Sequence, residues 1–236
     1  EFVTTTRIIE ALRAMGLEPK FGKDVIDVNA VMGRREAIVE KAWNAAHEVK
    51  DIDQTILDSL DRYTGAMVEI DTGRPGPCTA LRFDIDCVVK TETDDPNHAP
   101  NAQGFASMRP GLMHSCGHDA HTALGLGVAR WVADHKDELK GRIKIVFQPA
   151  EEGVRGAKSI CESGFLDDVD YIFAAHIMPR VKDYDLYFGM NESFATTKLD
   201  VIYHGVSTHA AESPQFGKNA LLSAANCIIN LHSIPR

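Results

Sequence analysis

Between residues 119 and 175 helical and extended patterns alternate, and few architectures accept that order. A helix is predicted over 119–137, then a strand at Arg142–Gln148 built on Ile143, Ile145, Val146 and Phe147. A helix near 153–163 and a strand at Tyr171–Ala175 follow. Alternation of this kind predicts an α/β sheet with helices packed on it. Ahead of it, Ala66–Ile70 and Thr79–Asp86 read as strands, the second antiparallel to the first, around the turn-rich Thr72-Gly73-Arg74-Pro75-Gly76-Pro77. Further upstream, helices are predicted over 5–16 (Ile8, Leu12, Met15), 34–49 (Ile38, Ala42, Ala45, Ala46 and Val49 on one face) and 53–63 (Ile56, Leu57, Leu60), with a short strand at Val25–Val31. Residues 91–112, with Pro96, Pro100 and Pro110, read as a long irregular loop, a length that is usually functional or disordered. After about residue 194 a strand at Lys198–His204 and a helix over 217–232, with Leu221, Leu222, Ala225, Ile228 and Ile229 inward, start a new unit. One strand and one helix cannot bury their own apolar faces, so the chain is expected either to be a piece of something longer or to dock there on a partner.

Composition removes several function classes. With 25 Lys+Arg against 34 Asp+Glu the net charge is −9, which opposes non-specific nucleic-acid binding. No apolar run approaches the roughly 20 residues that span a bilayer, so no membrane partner is expected. Glu1-Phe2-Val3-Thr4 has neither the basic nor the apolar segment of a signal peptide. The five cysteines are odd in number and irregular in spacing, which points to a reducing, cytoplasmic setting.

Chemistry concentrates where strands are expected to end. His114-Ser115-Cys116-Gly117-His118-Asp119-Ala120-His121 packs three imidazoles, a thiol and a carboxylate into eight residues. Thiolate and imidazole suit a borderline-soft ion such as zinc, and Asp119 could orient an imidazole. The plainer alternative is a packed Cys with surface histidines. Glu151 and Glu152 follow the 142–148 strand, so one could ligate an ion and the other move a proton; two acids at a helix start would also satisfy the helix dipole. His176 ends the 171–175 strand, as a ligand or as a hydrogen-bonded core residue. Asp84 and Asp86 share one side of their strand and could accept from ligand imidazoles, or form a solvated edge. The coincidence of four such strand ends in one α/β unit, beyond which ligands bind, favours a metal site.

The strings MHSCGHDAH, FQPAEEGVRGA, AAHIMP and HGVSTHAAESPQFGKNA closely resemble the amidohydrolase branch of the M20 metallopeptidase family. RFDID, TGRPGP and GFASMRPGLMHSCGHD are most similar to members that act on aminobenzoyl-glutamate. The resemblance covers nearly the whole chain. It implies a mixed, mostly parallel sheet flanked by helices, as in zinc peptidases, and two divalent ions, zinc or manganese. Cys116, His118, Glu152 and His176 would be ligands and Glu151 the general base. Residues 1–193 would be the first part of the catalytic domain. Residues 194–236 would open an inserted α+β lid that mediates homo- or heterodimerisation, and whose His209 reaches a neighbouring subunit's site. Family members carry one more histidine ligand near the C-terminus of a chain almost twice as long, which implies that this chain is a fragment. The implied activity is hydrolysis of an N-acyl amino acid at its amide bond. Two other readings stand beside it: a non-catalytic metal-binding or dimerisation partner, and a thiol hydrolase with Cys116 as nucleophile.

Overall fold

The computed structural model describes residues 1–178, 181–182, 184–189, 196–197 and 199–235. The chain divides into two compact units, Glu1–Asp185 and Leu186–Arg236, each described by itself. The domain boundary expected at 193/194 lies outside the described residues.

The first unit is a three-layer sandwich. Its sheet holds β1 (Lys20–Phe21), β2 (Ala66–Asp71), β3 (Cys78–Asp84), β4 (Arg142–Gln148) and β5 (Tyr171–Ala174), in the order β1-β2-β4-β3-β5. β4 is parallel to β3 and β3 to β5, whereas β2 runs against both of its neighbours. The sheet is therefore mixed and mostly parallel. β2 and β3 do point in opposite directions, but they are not paired, because β4 lies between them.

Side-chain alternation assigns the two faces. Ala66, Val68 and Ile70 of β2 and Ile143, Ile145 and Phe147 of β4 pack on one side with α1 (Phe2–Ala14), α2 (Glu36–His47), α3 (Gln54–Ser59) and α5 (His118–Asp134). Met67 and Val146 face the other side, against Val25, Ile26 and Ile160 of α6 (Gly156–Cys161). Lys144 is buried there too, with Nζ 2.5 Å from both Asp168 Oδ1 and the Phe165 carbonyl. The short α4 (Ala99–Gln103) lies within the predicted 91–112 loop.

Three expectations are corrected. Val25–Val31 is not a strand: it follows one 3₁₀ turn and contains another, the second capped by Asp27 on the Asn29 amide at 2.8 Å. In α2 the expected Ala46, and Val49 just beyond the helix, do pack into the core, but Val39 and Trp43 complete the inward stripe, and Ile38 and Ala42 are exposed. In the second unit Lys198 lies outside the described residues, and 199–204 forms no strand. That unit holds a Val206–Lys218 bridge and α7 (Ala220–His232), capped by Asn219. Leu221, Leu222, Ala225, Ile228 and Ile229 are exposed rather than inward, because the described residues of this unit supply no sheet face for them.

β5 is also open. As the last strand of the sheet it has one paired edge among the described residues, and Tyr171, Ile172 and Phe173 are each more than half exposed.

α5 lies against the sheet through His118, His121, Gly125, Ala129 and Val132, a 3-4-4-3 spacing on one helix face. Gly125 permits the approach: a Cβ there would meet the Phe147 ring at 2.7 Å and the Phe83 ring at 2.8 Å. Gly127, two positions on, would place its Cβ in open space. The two substitutions should therefore differ in sign. Gly127→Ala gains up to about 1 kcal/mol of helix propensity. Gly125→Ala gains the same but overpacks the core by about 1–3 kcal/mol. Thermal unfolding followed by circular dichroism should show Gly127→Ala above the parent and Gly125→Ala below it, by about 2–4 °C per kcal/mol.

Candidate metal centre

The carboxyl ends of β3 and β4 are level, with Asp84 opposite Gln148, and β5 ends beside them, Ala174 opposite Arg82. The segments leaving them carry Asp86, the Glu151-Glu152 pair and His176, and the N-terminus of α5 brings Cys116 and His118 to the same end. Gly117, the residue between them, has φ +86°, a left-handed turn that favours glycine, and a Cβ there would press on Ile177 at 3.3 Å.

His118 is fully buried. Its Nδ1–H donates to the Asp86 carbonyl at 2.9 Å, with Asp86 Oδ1 at 3.2 Å. That bond places the lone pair of a neutral ring on Nε2, and Nε2 is buried with no hydrogen-bond partner. Such orphans are rare and call for an explanation. Asp84 Oδ1 and Glu151 Oε2 each lie 3.8 Å away. Donor atoms of Cys116, His118 and Glu152 lie within 4.8 Å of one another, and so do those of Asp84, His118, His121 and His176. Cys116 Sγ is 3.6 Å from His176 Nε2. Thiol, imidazole and carboxylate around an unpartnered lone pair suit a divalent ion such as zinc.

Charge supports the same reading. Burial, a hydrogen bond to Glu152 and the charges of Glu152, Glu151 and Asp84 push the Cys116 thiol up to about 11. Nucleophile and metal ligand alike act as the thiolate, so a cysteine in these acidic surroundings needs a neighbouring cation to ionise. Burial would also raise Asp84, but the His121 hydrogen bond and the Arg82 charge outweigh it and hold the carboxyl below its usual range. Arg82 Nη1 donates to Asp84 Oδ2 at 2.8 Å, and Arg82 Nε to Gln148 Oε1 at 2.8 Å.

Asp86 has a part that its spacing did not disclose. Its two carboxylate oxygens accept the backbone N–H groups of Glu151 (3.0 Å) and Glu152 (2.9 Å). The turn so held is strained, with φ +51° at Ala150 and +57° at Val154. Asp119 is exposed, and the imidazoles take their carboxylates from the β3 end instead. His121, three residues after His118 on the same helix face, is 3% exposed, and that spacing was the available signal for it. His209 lies in the second unit and is exposed, its Nδ1 facing the Ala211 and Glu212 amides at 3.3 and 3.2 Å.

Comparison with known proteins accords with this arrangement. The chain is 46% identical over its whole length to a p-aminobenzoyl-glutamate hydrolase subunit homolog from Haemophilus influenzae, covering 56% of that protein. It is 41% identical to an indole-3-acetyl-aspartic acid hydrolase from Enterobacter agglomerans, over 99% of this chain and 54% of that one. Among solved structures, an aminobenzoyl-glutamate utilization protein from Klebsiella pneumoniae superposes with a TM-score of 0.69 at 30% identity, over 100% of this chain and 53% of that one. The chain thus spans about half the length of the curated relatives it matches. The sequence model of peptidase family M20/M25/M40 matches residues 80–229, well over half of the chain and inclusive of every candidate ligand, and the chain belongs to that family.

Proposed function

We propose that this chain is part of a metal-dependent hydrolase that cleaves the amide bond of an N-acyl amino acid, with aminobenzoyl-glutamate conjugates as the leading substrate class. The observation that carries the reading is the buried, unpartnered Nε2 of His118 amid Cys116, Glu152 and His176. Those four residues are the proposed ligands of two divalent ions, zinc or manganese, and the thiol favours zinc. The substrate class rests on the family and on what its named relatives act on.

Ions bound at such a donor set polarise a carbonyl and acidify water. The protein's own part is proton transfer and orientation. Glu151 sits beside the ligands, its Oε2 3.8 Å from His118 Nε2 and its side chain one-third exposed, within reach of a substrate. It takes the proton of the attacking water and returns it to the leaving amine nitrogen. Asp86 sets its direction through the Glu151 amide. Residues 1–193 are assigned to the catalytic domain and 194–236 to a lid that pairs two subunits. His209 then donates to the developing oxyanion in the partner's site. The free cysteines suit a reducing, cytoplasmic setting.

Chelation should abolish hydrolysis of acyl-amino acids, and zinc or manganese should restore it, in this chain or in a form extended to the length of its relatives. Ion binding without turnover in both would leave a non-catalytic metal-binding protein. In an active form, Glu151→Gln should keep the ions and lower kcat by about 10²–10⁴-fold. Glu152→Gln should instead weaken ion affinity. A near-normal kcat in Glu151→Gln would return the pair to a helix-start feature.

The lid assignment has its own test. Active-length His209→Ala and Glu151→Gln variants, each inactive alone, should regain activity when mixed, because one site of a hybrid dimer keeps both residues. No recovery in mixtures shown to exchange protomers would remove the trans role.

A further inference from the structure

Three imidazoles meet at this site, and their second nitrogens have different fates. His118 Nδ1 and His176 Nδ1 face backbone carbonyls, of Asp86 at 2.9 Å and Ile177 at 2.7 Å. A carbonyl only accepts, so both rings carry their proton on Nδ1 and leave Nε2 available. His121 also gives its Nδ1–H away, to Asp84 Oδ1 at 2.6 Å. Its Nε2, however, is occupied: the Ile177 backbone N–H donates to it at 2.9 Å. An N–H only donates, so this Nε2 is the acceptor and its lone pair is spent on the protein.

We propose that His121 is a positioning residue and not a metal ligand, although its donor atoms lie among those of Asp84, His118 and His176. It is the fourth member of a relay that runs Gln148–Arg82–Asp84–His121–Ile177. The relay anchors the backbone at the His176–Ile177 peptide, and the carbonyl of the next peptide, Ile177 O, accepts from the ring of His176, whose Nε2 faces Cys116. β3, β4 and α5 thereby determine where the proposed ligand beyond β5 points. Partners of this kind set tautomer and orientation, and their loss typically weakens metal affinity about 10–100-fold. The inference rests on the proposed metal site for its consequence, but its hydrogen bonds stand without an ion.

Two substitutions separate the two ends of the ring. His121→Gln can keep an acceptor at the Nε2 position for the Ile177 N–H. His121→Asn can keep a donor for Asp84 but has no acceptor that reaches Ile177. In the metal-free chain, amide exchange by NMR should show Ile177 protected in the parent and in His121→Gln. In His121→Asn it should exchange at least about tenfold faster. Equal exchange in the parent and His121→Asn would overturn the proposal. Imidazole ¹⁵N spectra of the parent should show a protonated Nδ1 and a bare Nε2 on His121. On adding zinc, the His118 and His176 Nε2 resonances should move to metal-bound values while that of His121 stays. Movement of His121 Nε2 would make it a ligand and sink the idea. If none of the three moves, the metal site fails, while the exchange result still judges the relay. Zinc affinity should fall about 10–100-fold in His121→Asn and less in His121→Gln; equal losses would also count against the relay.

Discussion

Asp86 ties together parts of the molecule that the chain keeps far apart. Its carboxylate receives the amides of Glu151 and Glu152, and its carbonyl receives the His118 ring. Charge-assisted bonds of this kind are worth about 1.5–3 kcal/mol each. Left-handed φ values at non-glycine residues cost about 1–3 kcal/mol each. The two quantities are comparable, so the turn that carries the acid pair is held against its own backbone preference by a residue of the segment that leaves β3. Side-chain direction at Glu151 is then a property of the β3–β4 register as much as of the local sequence.

A second constraint is charge. Asp84, Glu151, Glu152 and the Cys116 thiol crowd one end of the sheet, and Arg82 is the basic side chain bonded to them. Burial first, and then the charges of Glu152, Glu151 and Asp84, push the Cys116 thiol up to about 11. A divalent ion would relieve it by attracting all of these groups at once. The ordered imidazoles are neutral donors suited to the same ion, so polarity and geometry make the same demand.

Much of this was legible in the residues. The apolar β4 run, the Ala66–Ile70 strand and the His118-to-His121 cluster are local signals, and they disclosed the α/β sheet and the end at which ligands gather. Strand order was not legible, because pairing of β2 with β4 rather than β3 depends on contacts more than 70 residues apart in sequence. In α2 the inward Ala46 and Val49 are legible, but Ile38-Ala42 and Val39-Trp43 are adjacent pairs on one helix and periodicity alone does not choose between them. The large Trp43 ring, edge-on to Phe2 at 5.1 Å, decides between them. Val25 and Ile26 do lie in the core, as apolar residues should, but from a bend between two 3₁₀ turns, the first opening at Gly22 with φ +57°. His121 was visible as an imidazole. Its partner, a backbone amide 56 residues on, was not.

The open margin of β5 has a practical consequence for anyone handling this chain in isolation. Its outer amides and carbonyls pair with no strand among the described residues, and with Tyr171, Ile172 and Phe173 beside them they make a template on which a second strand can grow. Natural sheets blunt such margins with charges, prolines or bulges, and Tyr-Ile-Phe-Ala supplies none of them. Concentrated solutions will therefore favour stacking of one sheet against the margin of the next.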